Sequence, residues 1–145
     1  MKHRNVWLSF LIICLMQVSC EKPACDCLFE QNIVFTILNA KGEDITDQFD
    51  AKNVKLTYLN SPGDPVRMEK SCADKSFMFV LFYKSGLYRL DLGNGISKEI
   101  NVTYNLATKG CCKGYGGIER VQVDGKAIEG RYEICSNTKS YPITI

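Results

Sequence analysis

The stretch Leu87-Tyr88-Arg89-Leu90-Asp91-Leu92-Gly93-Asn94-Gly95 decides the fold class. Its first six residues alternate, so Tyr88, Leu90 and Leu92 share one face of an extended strand and Arg89 and Asp91 the other. Gly93-Asn94-Gly95 then supplies a hairpin signal, because Asn and Gly tolerate the positive φ angles of a tight two-residue turn. Ile96 to Tyr104 forms the returning strand, with Ile96, Ile100, Val102 and Tyr104 falling largely on one face.

The same pattern recurs on both sides of this hairpin. Ile33 to Leu38 is β-branched and apolar on both faces, as a central strand would be. Val54 to Leu59 alternates, and Asn60-Ser61-Pro62-Gly63-Asp64-Pro65 is a turn cluster. Phe77 to Tyr83 is a further apolar run. Ile118 to Val123 is turned by Asp124-Gly125, and Ala127-Ile128, Tyr132 to Ile134 and Ile143 to Ile145 complete the series. No window after residue 20 carries a long amphipathic helical repeat. Seven or eight short strands punctuated by turns predict an all-β domain over residues 32–145. The expected architecture is a single β-sandwich of immunoglobulin-like or transthyretin-like kind.

The first nineteen residues are of another character. A basic tip (Lys2, His3, Arg4) precedes an apolar run from Val6 to Val18 and then Ser19-Cys20, the three parts of a secretory signal. As a helix that run spans about 20 Å at about 1.5 Å per residue. A bilayer core of about 30 Å needs about twenty residues, so cleavage is the better reading than a permanent span. Residues 1–19 are thus expected to be removed and 20–31 to form a short cysteine-bearing leader. The signal takes with it Lys2 and Arg4, which make up the excess of the chain's 18 basic over its 16 acidic side chains. A formally neutral domain has no field to attract nucleic acid.

Eight cysteines become an even set once Cys14 is cleaved off and Cys20 is set aside: Cys25, Cys27, Cys72, Cys111, Cys112 and Cys135. In an exported chain this reads as up to three disulfides, with the pairing open. Structural zinc is disfavoured, since neither Cys25-x-Cys27 nor Cys111-Cys112 has ligand spacing and the only histidine, His3, lies in the signal. No metal and no cofactor is expected. Catalysis is also disfavoured. A nucleophile needs a base beside it, and no paired-carboxylate signature stands out.

Asp44, Asp47 and Asp50 could hold calcium, but their every-third spacing suits a solvated turn with Ile45 and Phe49 facing the core. Asn101-Val102-Thr103 matches a glycosylation sequon inside a strand, where a structural reading is preferred. Gly110-Cys111-Cys112-Lys113-Gly114-Tyr115-Gly116-Gly117 is the most unusual segment. A disulfide-held loop carrying Lys113 and Tyr115 could present a contact to a glycan or a protein. Equally, its glycines can be read as no more than the positive-φ residues of a tight loop.

Leu15-Met16-Gln17-Val18-Ser19-Cys20 resembles the lipobox of bacterial lipoproteins, with Gln17 where an aliphatic residue is usual. That resemblance implies acylation of Cys20, and Glu21 after it favours release to an outer membrane. The leader cysteines, the run 87–95, and Cys111 to Tyr115 followed by Val121 to Lys126 look like short uncharacterised lipoproteins of Gram-negative gut anaerobes. This implies a β-sandwich held at the membrane by a lipid anchor, and no functional residue is carried over. The leading expectation is a non-catalytic envelope lipoprotein that binds a protein or saccharide partner. Its alternatives are a structural accessory of a larger complex and, less favoured, an enzyme or inhibitor.

Overall fold

A computed structural model of the chain describes residues 32–61, 65–70, 76–82, 84–133 and 138–145. The signal, the leader with Cys20, Cys25 and Cys27, and the stretches holding Cys72 and Cys135 lie outside those residues. Among the described residues the strands are β1 (Asn32–Leu38), β2 (Lys55–Tyr58), β3 (Pro65–Val66), β4 (Met68–Lys70), β5 (Phe77–Val80), β6 (Gly86–Gly93), β7 (Ile96–Leu106), β8 (Gly116–Val123), β9 (Lys126–Ile128), β10 (Arg131–Glu133) and β11 (Thr138–Thr144). They form a five-stranded sheet, β10-β11-β1-β5-β4, and a six-stranded sheet, β3-β2-β6-β7-β8-β9. The two sheets pack face to face, so the expected all-β sandwich forms.

The core lies between them. Ile33, Phe35, Ile37, Phe79, Tyr141 and Ile143 from one sheet meet Leu56, Tyr88, Leu90, Ile100, Val102 and Val121 from the other. Each set obeys the two-residue period of a strand. The deciding stretch behaves accordingly: Tyr88, Leu90 and Leu92 are buried while Arg89 and Asp91 are exposed. β1 is central, flanked by β11 in parallel and β5 in antiparallel register. Its Val34 is fully buried although it points away from the core, which accounts for a strand apolar on both faces. Thr36 and Ser140 join β1 to β11 through hydroxyls 2.7 Å apart.

Both edges of the sandwich are closed by a segment shared between the sheets. Val66 of β3 pairs with Leu56 in the six-stranded sheet, and two residues later Met68 of β4 pairs with Phe79 in the five-stranded one. Between them the Arg67 carbonyl accepts from the Val80 N–H at 3.1 Å. On the opposite edge β9 pairs with β8, and β10 pairs with β11. Gly130 lies at that crossing. A Cβ there would sit 2.8 Å from Lys139 Cβ and 2.9 Å from Tyr141 Cε1. Strands that change sheet at a corner leave little open edge for another chain to extend.

Turn chemistry sets the hairpins. Asn94-Gly95 and Asp124-Gly125 both have positive φ at each central residue, the turn whose twist matches that of the strands it joins. The Asp124 carboxylate also accepts from Lys98 Nζ at 2.9 Å and from the Glu99 N–H at 3.0 Å. Those two bonds hold its pKa below the ordinary value of 3.8. The Asp44 to Asp50 segment folds as a single 3-10 turn, Thr46–Gln48, with Ile45 and Phe49 against the core. Asp44 and Asp50 accept backbone N–H groups two residues ahead, those of Thr46 and Lys52. Buried Thr46 fixes this turn to β1, its Oγ1 accepting the Ile37 N–H at 2.7 Å.

Two expected features are revised. The run from Phe77 to Tyr83 yields a strand that stops at Val80, because Phe82 adopts φ 48°. The short strands β3 and β4 form where the sequence shows only the end of a turn cluster. These contacts can be tested by substitution. Thr46→Val should cost about 1–3 kcal/mol in urea unfolding, by leaving the Ile37 N–H buried without its acceptor, and Thr46→Ser should recover most of it. Asp124→Asn keeps the turn but removes a carboxylate whose pKa is lowered. The group's contribution is therefore present above its unfolded value and fades as pH falls through the folded one. Because the pair is exposed, the loss at neutral pH should be under about 1 kcal/mol, vanishing once acid protonates the folded carboxylate.

Candidate functional site

Several chain connections gather at one end of the sandwich. β5 stops there at Val80 and β6 starts at Gly86, so residues 81–85 cross it from sheet to sheet. β7 ends at Leu106 opposite Gly116 of β8, which places the loop 107–115 at the same end. β1 begins there, Asn32 facing Val80, so the chain arrives from its leader at this end. β10 leaves at Glu133 and β11 resumes at its partner Thr138, again at this end.

The 81–85 connection is fastened from several sides. Tyr88 is almost wholly buried, and its hydroxyl donates to the Lys84 carbonyl at 2.5 Å. Tyr58 donates to the Ser85 carbonyl at 3.1 Å. Ser85 Oγ accepts the Tyr104 N–H at 2.9 Å, and the Asn60 side chain accepts the Leu87 N–H at 2.8 Å. The Tyr58 and Tyr88 rings lie tilted at 4.9 Å, and Lys84 Nζ stands 5.6 Å above the Tyr58 ring. Burial, with Tyr58 close by, pushes the Tyr88 phenol well above the ordinary tyrosine range. It acts as a fixed donor.

Phe82 projects from this rigid base, 58% exposed. A bulky non-glycine residue in the left-handed region is a genuine outlier, costing about 1–2 kcal/mol. Beside it lies a cleft of about 220 Å³ lined by Tyr58, Val66, Arg67, Leu81, Phe82 and Lys84. Among the described residues no carboxylate lines that cleft, so its walls can receive an anionic or aromatic group but offer no acid–base pair. Arg67 is engaged with Glu69 along the exposed edge.

The loop singled out from sequence is compact. The Ala107 N–H donates to the Tyr115 carbonyl and the Gly114 N–H to the Ala107 carbonyl, each at 2.9 Å. Cys111 and Cys112 are both disulfide-bonded, while the other candidate cysteines lie outside the described residues. Lys113 is exposed and Tyr115 is 39% exposed. At Gly116 a Cβ would fall on the Asn105 carbonyl oxygen, so only glycine permits the close start of β8.

A second depression, of about 410 Å³, lies along the edge where β9 passes into β10. Its walls carry Glu119, Arg120, Glu129, Lys139 and Tyr141, with Gly130 between them. Tyr132, paired with Lys139, stands beside it and is 63% exposed. Sequence reasoning missed this site because its residues come from separate strands and the turn between them. The only local signal was Gly130 between two short strand-like runs. Among the described residues no cluster of histidine, cysteine and carboxylate groups is arranged to hold a metal ion.

Compared with protein-family models, curated proteins and solved structures, the chain matches none. Two substitutions test how this end is built. Tyr88→Phe should lower stability by about 0.5–1.5 kcal/mol through loss of one buried hydrogen bond. Gly116→Ala should cost about 1–3 kcal/mol by forcing β8 away from Asn105. Both are read from urea unfolding midpoints.

Proposed function

We propose that the chain is an envelope lipoprotein, anchored through Cys20, whose sandwich binds a saccharide or protein partner without catalysing a reaction. The observation that carries the binding half is the edge depression of about 410 Å³. That volume falls in the range of ligand-binding clefts. Its side chains of both signs can hydrogen-bond hydroxyls or amides, and exposed Tyr132 beside it offers an apolar face with a polar tip. The anchoring half is supported by the signal-like residues 1–19, by Ser19-Cys20 and by the balanced charge of residues 20–145.

A disulfide framework belongs to the same reading. The loop with Cys111 and Cys112, the strand start that comes after Cys25 and Cys27, and the strand start that comes after Cys135 share one end of the sandwich. We propose that Cys111 and Cys112 bond the leader and the 134–137 stretch, tying three connections into one knot. Cys72 lies between β4 and β5 in the sequence and is left out of this knot.

Mass spectrometry of the mature protein tests these statements together. It should show an acylated N-terminal Cys20. Trypsin without reduction should release Gly110 to Lys113 linked to the peptides bearing Cys25 with Cys27 and Cys135. An unacylated N-terminus would refute the anchor, and free thiols on Cys111 and Cys112 would refute the knot. On an immobilised glycan panel and in partner pull-downs from envelope extracts, Tyr132→Ala should abolish whatever the native protein retains. Binding unchanged by that substitution would remove the depression as the site.

A further inference from the structure

We infer that the end of the sandwich bearing Phe82 and the 107–115 loop rests on the phospholipid surface that holds the Cys20 anchor. Phe82 enters the interface and Lys84, Lys109 and Lys113 face the lipid phosphates. This rests on the lipoprotein reading and deepens it, since it assigns the orientation of the domain and the residues that set it.

Three independent observations converge on this end. The first is where the chain arrives. β1 begins at Asn32 opposite Val80, so its first residue stands beside the 81–85 connection. Fully extended, the leader 20–31 spans at most about 40 Å at roughly 3.3–3.6 Å per residue. The anchored end of the domain is held near the bilayer.

The second is what protrudes there. Phe82 is 58% exposed at φ 48° on a connection otherwise fastened to Tyr58, Tyr88 and Tyr104. The hydrogen bonds of Lys84 and Ser85 fasten the connection on which this phenyl ring stands exposed. Strain in a bulky exposed residue points to function. Tyr115, partly exposed on the neighbouring connection, is of the aromatic kind that favours the headgroup level.

The third is charge. The connections 81–85 and 107–115 carry Lys84, Lys109 and Lys113 and no acid. At the opposite end the segment 39–54 holds Glu43, Asp44, Asp47 and Asp50 against Lys41 and Lys52. These two connections are locally basic, while Glu133 of β10 belongs to the same end and the leader carries Glu21, Asp26 and Glu30. Lysines beside an anionic leaflet are attracted within a Debye length. Seated this way, the edge depression near Tyr132 faces sideways and stays open to a partner.

The test uses the lipidated protein in phosphatidylethanolamine–phosphatidylglycerol vesicles with brominated acyl chains. Trp7, the chain's one tryptophan, leaves with the signal, so Phe82→Trp introduces a sole reporter in the mature protein. Its emission should shift to the blue and lose most of its intensity to bromine. Ala51→Trp, at the acidic end, should keep its intensity. Tyr115→Trp serves as a second reporter if Phe82→Trp folds poorly, and it too should be quenched. Charge reversal of Lys84, Lys109 and Lys113 together should relieve the quenching. Equal intensities at positions 82 and 51 in acylated protein would overturn the seating and leave the lipoprotein reading standing. Absence of an acyl mass on Cys20 in the same sample would overturn that reading, and the seating with it.

Discussion

The structure depends on closing both edges of a two-sheet sandwich with segments that belong to both sheets. A sheet edge exposes unpaired N–H and C=O groups, and two sheets of five and six strands would leave four such edges. Here β3 and β4 are one nearly continuous extended segment, and β9 and β10 are another. Each gives its first part to the six-stranded sheet and its second to the five-stranded sheet. The crossing points impose local demands. Gly130 must lack a side chain because Lys139 and Tyr141 press against it, and the Arg67 carbonyl must face Val80. The edge depression exists because one segment changes sheets there and opens a gap between its neighbours.

The second organising fact is the asymmetry of the two ends. At the acidic end, Asn94-Gly95 and Asp124-Gly125 make tight hairpin turns, and Thr46 fixes a short 3-10 turn to β1. The other end is made of connections held by tyrosine hydroxyls, Ser85 and disulfide-bonded Cys111 and Cys112. Hydroxyls with several backbone partners and cross-links together oppose rearrangement of this end. A fastened base under an exposed phenyl ring is what the proposed membrane seating requires.

Much of the sandwich was legible in the chain because strand periodicity is a local property. Tyr88, Leu90 and Leu92 announce their burial by spacing alone, and the two X-Gly turns announce theirs by backbone permissiveness. Ile33 to Leu38 could be read as a central strand because no polar face interrupts it. The failures also have physical reasons. Pro65 to Lys70 looks like the tail of a turn cluster, since strands of two and three residues carry no readable period. Phe77 to Tyr83 looks like one apolar strand, because composition is silent about a reversal of φ at Phe82. Of the candidate site, Lys113 and Tyr115 could be picked out by their glycines and cysteines, whereas Tyr132, Lys139 and Phe82 could not.

The sequence by itself determined the fold class, the faces of the long strands, the hairpin turns and the neutrality of the chain beyond residue 19. These come from side-chain pattern and backbone preference within a few residues, which any strand expresses before it finds a neighbour. Only the tertiary structure decided which strand lies beside which, that both edges are closed by shared segments, and that the start of β1, the 81–85 connection and the twin-cysteine loop meet at one end. Those outcomes depend on contacts between residues far apart in the chain, such as Val34 with Ser140 and Tyr104 with Ser85. No local pattern encodes such contacts, because each partner's preference is satisfied equally by many neighbours until the whole core is packed.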